Sequence, residues 1–207
     1  METNAAEYEE IARKVFAPIY PVIAEQIKNK TGLSKGKCLD IGSGTGYLGI
    51  ALAQITDLQI YLYDKSPDML EIAARNITAS GLEARVQILL GDVHDIPLAD
   101  QSIDLMVSRG SVFFWENRVK AFQEIYRVLA PGGATCIGGG FGTPELKKQI
   151  TETMVKIKKD WRGFVKKNTG RQNVENFSRE LRNAGLPDFE IIKNEAGLWI
   201  VIRREKV

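Results

Sequence analysis

Cys38-Leu39-Asp40-Ile41-Gly42-Ser43-Gly44-Thr45-Gly46-Tyr47-Leu48-Gly49 runs from an apolar strand pattern, through a carboxylate and three alternate glycines, into a helical pattern. Positions without a side chain permit unusual backbone angles and let another group approach the main chain closely. The amides that open the following helix form a site for an anionic group, such as an amino-acid carboxylate or a phosphate. Gly44-Thr45-Gly46-Tyr47-Leu48-Gly49 is also a literal G-x-G-x-x-G, with Asp64 twenty residues beyond Gly44. That spacing alone admits a nicotinamide dinucleotide. Asp40 argues otherwise, because a carboxylate beside an approaching pyrophosphate repels it but attracts the ammonium of a zwitterionic amino-acid ligand.

Outward from this turn, short apolar runs alternate with helix-period segments, as expected of an α/β protein with a mostly parallel sheet and crossover helices on its faces. Strands are expected at Lys37 to Ile41, Leu58 to Tyr63, Val86 to Leu90, Ile103 to Val107, Ala134 to Gly138, Phe189 to Lys193 and Leu198 to Arg203. Helical patterns occupy Leu48 to Gln54, Pro67 to Ala79, Val119 to Leu129, Pro144 to Lys159 and Val174 to Asn183. Ser66-Pro67-Asp68 supplies a cap, a proline for the first helical position and an early acid, while Gly81 and Pro131-Gly132-Gly133 end helices. The loop between the last two strands is too short for a parallel crossover, so they pair as an antiparallel hairpin. Residues 5–30 are helical but interrupted by Pro18 and Pro21, which predicts two pieces meeting at a bend.

The 207 residues, 44% of them hydrophobic, fit one domain, 1–207, with 1–30 as a helical cap and 141–173 as a helical insertion. No stretch approaches the ~20 apolar residues of a membrane span and no signal core opens the chain, so a cytoplasmic protein is expected. Cys38 and Cys136 lie in apolar strands and read as core. Net charge is only +2, yet residues 141–182 hold eleven Lys or Arg against five Asp or Glu.

Asp64 closes the second strand pattern, where a carboxylate can accept both hydroxyls of a ribose. Asp92, just past the third, is placed to accept an adenine amino group. Three acids at successive strand edges lie where open α/β sheets bind ligands.

Together these residues resemble the class I S-adenosylmethionine-dependent methyltransferases. Cys38 to Gly46 is similar to the family's first motif and Tyr63 to Leu70 to its second. Gly91 to Leu98, Ser102 to Ser108, and Glu124 to Gly133 continue the series in the order of the ubiquinone and menaquinone biosynthesis subgroup. The resemblance implies a Rossmann-like, doubly wound, seven-stranded sheet with an antiparallel last strand, and S-adenosylmethionine as cofactor. By the same resemblance, Gly42, Ser43, Gly44 and Gly46 receive the methionine part near Asp40, and Asp64 holds the ribose. Lys65 and Met69 flank the adenine, Asp92 and Val93 meet its edge, and Ser108 and Arg109 face the methyl group. His94, the single histidine, and Arg109 are candidate catalytic groups.

A sulfonium methyl is already electrophilic, so in-line displacement needs an oriented nucleophile more than covalent catalysis. Ser108-Arg109-Gly110-Ser111 is not the Asn-Pro-Pro-Tyr loop that grips planar amides. Nor is there a cytosine-attacking cysteine, the paired glutamates of arginine methyltransferases, or the metal-binding acids of catechol-type enzymes. A small-molecule acceptor remains, with Tyr8, Phe16, Tyr20, Phe113, Phe114, Trp115 and Trp161 available to wall its chamber. Lys156, Lys158, Lys159, Arg162, Lys166, Lys167 and Arg171 read first as a solvated helix face, then as a site for an anionic acceptor. RNA comes after these, because base-stacking side chains are not interleaved. A nicotinamide-dependent oxidoreductase and a catalytically inactive S-adenosylmethionine-binding protein stay open as alternatives.

Overall fold

Residues 4–206 are described by a computed structural model. Five parallel strands, β1 (Lys37–Ile41), β2 (Gln59–Asp64), β3 (Val86–Leu90), β4 (Ile103–Arg109) and β5 (Leu129–Gly138), are completed by the antiparallel hairpin β6 (Phe189–Asn194) and β7 (Gly197–Ile202). The order across the sheet is β3-β2-β1-β4-β5-β7-β6. The chain therefore reverses its direction of travel between β1 and β4, the switch point beside which such sheets open a crevice.

The expected alternation of side chains decides which helix covers which face. Cys38, Ile60, Leu62, Leu105 and Val107 pack on one side with α2 (Ile19–Thr31), α3 (Tyr47–Ile55), part of α4 (Pro67–Ala79) and α6 (Pro144–Ile157). Leu39, Ile41, Tyr63 and Met106 pack on the other with α5 (Arg118–Val128) and α8 (Arg171–Asn183). Cys38 and Cys136 are buried free thiols in the first layer, as core residues of that size should be. The cap begins with α1 (Ala5–Ile11) and passes through a π-helical turn, Ala12–Phe16, before α2. Pro18 stands at the N-cap of α2, and Pro21 lies in its first turn, where missing N–H groups leave no helical bond unmade.

Two segments differ from the sequence expectation. Trp161–Thr169 forms an additional helix, α7, inside the insertion. Strand β5 begins at Leu129, directly after α5, so Pro131-Gly132-Gly133 lies within the strand rather than between elements. Between Leu129, which pairs with Ile103, and Ala134, which pairs with Leu105, the register shifts, and the Pro-Gly-Gly segment bulges there with Gly132 at φ +79°. No helix among the described residues is long and apolar enough to cross a membrane.

Candidate active site

The glycine turn is held by the end of β2. The Gly42 and Ser43 amides donate to the Tyr63 carbonyl at 2.7 and 3.1 Å. Asp64 accepts from the Gly44 amide through Oδ2 at 2.8 Å and from the Ser66 amide through Oδ1 at 3.0 Å. Gly42 and Gly44 are left-handed, at φ +63° and +55°. A Cβ on Gly42 would come 2.3 Å from the Ser111 Cβ, and one on Gly44 would come 3.1 Å from the Tyr8 ring. Close approach, not flexibility alone, therefore demands glycine here. Gly49 serves packing instead, since a Cβ there would come 2.3 Å from Leu62 Cδ2.

Asp40 is 1% exposed and lies beneath the turn. Its Oδ2 accepts from the Gly49 amide at 2.9 Å, so one amide in the first turn of α3 is already taken by an acceptor from within the chain. Burial, with a smaller push from Asp64, raises its pKa to about 7 against the opposing pull of the Gly49 bond. Fewer amides are consequently open to an external anion than the sequence suggests.

Beside the turn lies a cavity of about 250 Å³, walled by the ends of β1 and β2, the segment after β3 and the loop after β4. Of the expected site residues it gathers Gly42, Asp64, Lys65, Asp92, Val93 and His94, and Ser111, Phe114, Trp115 and Glu116 close it. Asp40, Ser43, Gly44, Gly46, Met69, Ser108 and Arg109 are not on its wall. Met69 sits in the first turn of α4, its amide donating to the Ser66 cap at 3.3 Å. Ser108 is fully buried and its Oγ lies 2.6 Å from the Ser111 Oγ, which also donates to the Ile41 carbonyl at 3.0 Å. Alternation along β4 sends Arg109 the other way, onto the layer of Leu105 and Val107, where its guanidinium lies over Phe16, Tyr20 and Phe141.

Asp92 accepts from the His94 amide at 2.9 Å and touches the imidazole Nδ1. Burial raises its pKa, but these bonds outweigh that and hold it below the usual carboxylate value. The other imidazole nitrogen accepts from the Asn117 amide at 3.3 Å. His94 thus ties the Asp92 loop to the start of α5, with both ring nitrogens engaged.

Several residues of the site escape a reading of local sequence. Tyr63 reaches under the loop, donating from its hydroxyl to the Asp92 carbonyl at 2.7 Å, and its ring occupies the space a Cβ on Gly91 would need. From α5, Arg127 binds Glu124, Asp100 and the carbonyls of Ile96 and Leu98, while Glu124 accepts from the Ile96 amide at 3.0 Å. These two residues fix the loop that follows Asp92. Burial raises the pKa of both Tyr8 and Tyr20, so each stays protonated. The seven expected basic residues of the insertion are mostly exposed, and the Lys158 ammonium lies 5.6 Å from the centre of the Phe164 ring.

A family model described as a methyltransferase domain matches residues 39–137. The chain is 47% identical to a candidate S-adenosyl-L-methionine-dependent methyltransferase of Methanococcus maripaludis, covering all of this chain and 98% of that one with a TM-score of 0.96. It belongs to the class I S-adenosylmethionine-dependent methyltransferases. Among curated relatives, 2-methyl-6-phytyl-1,4-hydroquinone methyltransferase 1 of rice is 35% identical over 104 residues, which are 50% of this chain and 30% of that protein. A ubiquinone/menaquinone biosynthesis C-methyltransferase of Geotalea daltonii is 31% identical over 104 residues, 49% of this chain and 44% of that protein. The chain thus matches less than half of either relative's length.

The family's cofactor is S-adenosylmethionine, and the residues present fit it. The side-chain-free turn, the adjoining cavity and the buried, unpartnered hydroxyls of Ser43 and Thr45 give a polar cradle of the required kind. Asp64 and Asp92 are acceptors on the cavity wall, and Val93 adds an apolar surface for a planar ring.

Proposed function

We propose that the chain transfers the methyl group of S-adenosylmethionine to a small-molecule acceptor by in-line displacement. The observation that carries this reading is the cavity of about 250 Å³, into which successive strand ends bring Gly42, Asp64, Asp92 and Val93 beside the glycine turn. Asp64 would accept the ribose hydroxyls, and Lys65, Met69, Asp92 and Val93 would enclose the adenine. Gly42, Ser43, Gly44 and Gly46 would receive the methionine end above Asp40. When bound, the cofactor supplies a methyl group made electrophilic by the sulfonium.

What remains for this chain is positioning and exclusion of water. Tyr8 of α1 lies against Gly44, so the cap covers the turn and shields that end of the site. Ser108 acts through Ser111, keeping the loop after β4 against β1. His94, with both nitrogens engaged, would position the Asp92 loop rather than accept a proton. A small acceptor is favoured by the aromatic walls of Phe114 and Trp115 and by the small molecule named for the rice relative.

Calorimetric titration with S-adenosylmethionine, S-adenosylhomocysteine and a nicotinamide dinucleotide tests the donor. Both sulfur ligands are expected to bind. Binding of the dinucleotide alone would overturn the reading.

A further inference from the structure

Arg109 ends the central strand β4, yet among the described residues no carboxylate lies within ion-pair distance of it. Its Nε donates to the Gly140 carbonyl at 3.1 Å, and no other hydrogen bond of its guanidinium is found among the described residues. Its Cζ lies 4.6 Å from the centre of the Phe16 ring and 5.5 Å from that of Phe141. Trp161 of α7 packs on the same two rings, at centroid distances of 5.9 and 6.5 Å. Phe16, Phe141 and Trp161 are each at least nine-tenths buried, and the Trp161 indole N–H is buried without a partner.

A guanidinium among aromatic rings gains cation–π attraction, but that attraction leaves its terminal N–H groups unmatched. A buried indole N–H without an acceptor is likewise costly. The buried Trp161 N–H and the partly exposed Arg109 fork lie around the same pair of rings, so an acceptor group that reaches the fork meets donors without partners among the described residues. Neither neighbouring tyrosine supplies them as an anion, because burial keeps Tyr8 and Tyr20 protonated.

We infer that Arg109, with the Trp161 indole N–H, binds an anionic oxygen group of the methyl acceptor, a carboxylate carried on an apolar or aromatic body. This deepens the proposed function and rests on it. The donor is a sulfonium cation, so a second positive charge at the same sheet edge is favourable when the acceptor brings a negative one. A planar fork suits a carboxylate, and the rings of Phe16, Tyr20 and Phe141 around the fork suit an apolar or aromatic body. The exposed lysines of α6 and α7 then act as a surface field that draws anions toward the site rather than as the site itself.

The test pairs carboxylates with their amides: phenylacetate with phenylacetamide, indole-3-acetate with indole-3-acetamide, and hexanoate with hexanamide. Binding is followed by saturation-transfer NMR and tryptophan fluorescence, with and without S-adenosylhomocysteine. At least one acid is expected to bind tenfold or more tightly than its amide to the unaltered protein. That ratio should fall to about one in Arg109→Gln and at least threefold in Arg109→Lys, which keeps the charge but loses the fork. Trp161→Phe should lower it less. Absence of binding by every acid, or a preference retained in Arg109→Gln, would overturn the inference. If Arg109→Gln does not fold, Arg109→Lys decides. Failure of the unaltered protein to bind S-adenosylhomocysteine would sink the donor reading separately, and the acid-to-amide ratio measured without it would still decide the role of Arg109.

Discussion

Replacing Asp40 with Asn removes a buried charge while keeping an oxygen to accept the Gly49 amide bond. The carboxyl is 1% exposed, and burial, with Asp64 adding to it, raises its pKa from 3.8 to about 7. At ~1.4 kcal/mol per pKa unit the ceiling on the cost of ionising it in the folded chain is about 4 kcal/mol. Relaxation around the charge brings the expected effect to about 2 kcal/mol. The sign follows from proton counting. Below the ordinary carboxylate pKa both folded and unfolded chains hold the proton, so the unaltered protein and the Asp40→Asn variant differ little. As pH rises toward 7 the unfolded chain releases its proton first, and the stability Asp40 contributed in its neutral form is progressively lost. Above pH 7 both states are ionised and the penalty is constant. Urea unfolding of ligand-free protein, followed by circular dichroism at several values between pH 4 and 8, measures the difference. Asp40→Asn should come close to the unaltered protein near pH 4 and exceed it by about 2 kcal/mol at pH 8. A difference independent of pH, or a less stable variant at pH 8, would refute the assignment of a neutral buried acid. The same group bears on ligand binding: an ammonium arriving above Asp40 favours its ionised form, so S-adenosylmethionine should release a fraction of a proton at pH 6. Calorimetry in buffers of different ionisation enthalpy reads that release, and none would show that Asp40 holds only α3.

Asp64→Ala removes the acceptor that serves both the Gly44 and Ser66 amides and faces the cavity, and should weaken S-adenosylhomocysteine by ~1–3 kcal/mol in a calorimetric titration. Arg127→Ala cuts the ties of α5 to Asp100, Leu98 and Ile96, with an expected loss of ~2 kcal/mol in urea unfolding. It should also quicken amide exchange in the loop after Asp92, and unchanged exchange would remove Arg127 from that role. Gly49→Ala drives a Cβ to 2.3 Å from Leu62 Cδ2 and should cost ~1–3 kcal/mol. Leu62→Val in the same chain should recover part of that loss, and strict additivity of the two changes would contradict the packing argument.

Local chemistry decided what was legible in advance. Hydrophobic alternation and the helix caps located the strands and most helices, because those signals lie within a few residues of the structure they specify. α4 begins and ends where Ser66-Pro67 and the approach to Gly81 place it. The glycine turn and its neighbouring acids were equally local, since a parallel sheet sets its strand ends along one edge and a crevice opens there where the strand order reverses. Missed elements depended on partners distant in sequence. α7 is short and basic, and it is fixed by Trp161 packing on Phe16 and Phe141 and by Phe164 stacking on Phe114 at 6.0 Å. Pro131-Gly132-Gly133 has the composition of a terminator, yet the neighbouring strand accepts it as a bulge because pairing resumes at Ala134. Asp64 also changes meaning: at the sequence level it is a ribose acceptor, whereas in the fold both oxygens already bind backbone amides. A carboxylate so held is preorganised, its rotamer fixed before any ligand arrives, while its remaining lone pairs stay available to hydroxyl donors. The same logic separates Ser108 from Arg109. Adjacent in sequence, they are sent to opposite layers by a strand's two-residue period, so one braces the loop after β4 while the other meets the aromatic residues of the cap and insertion.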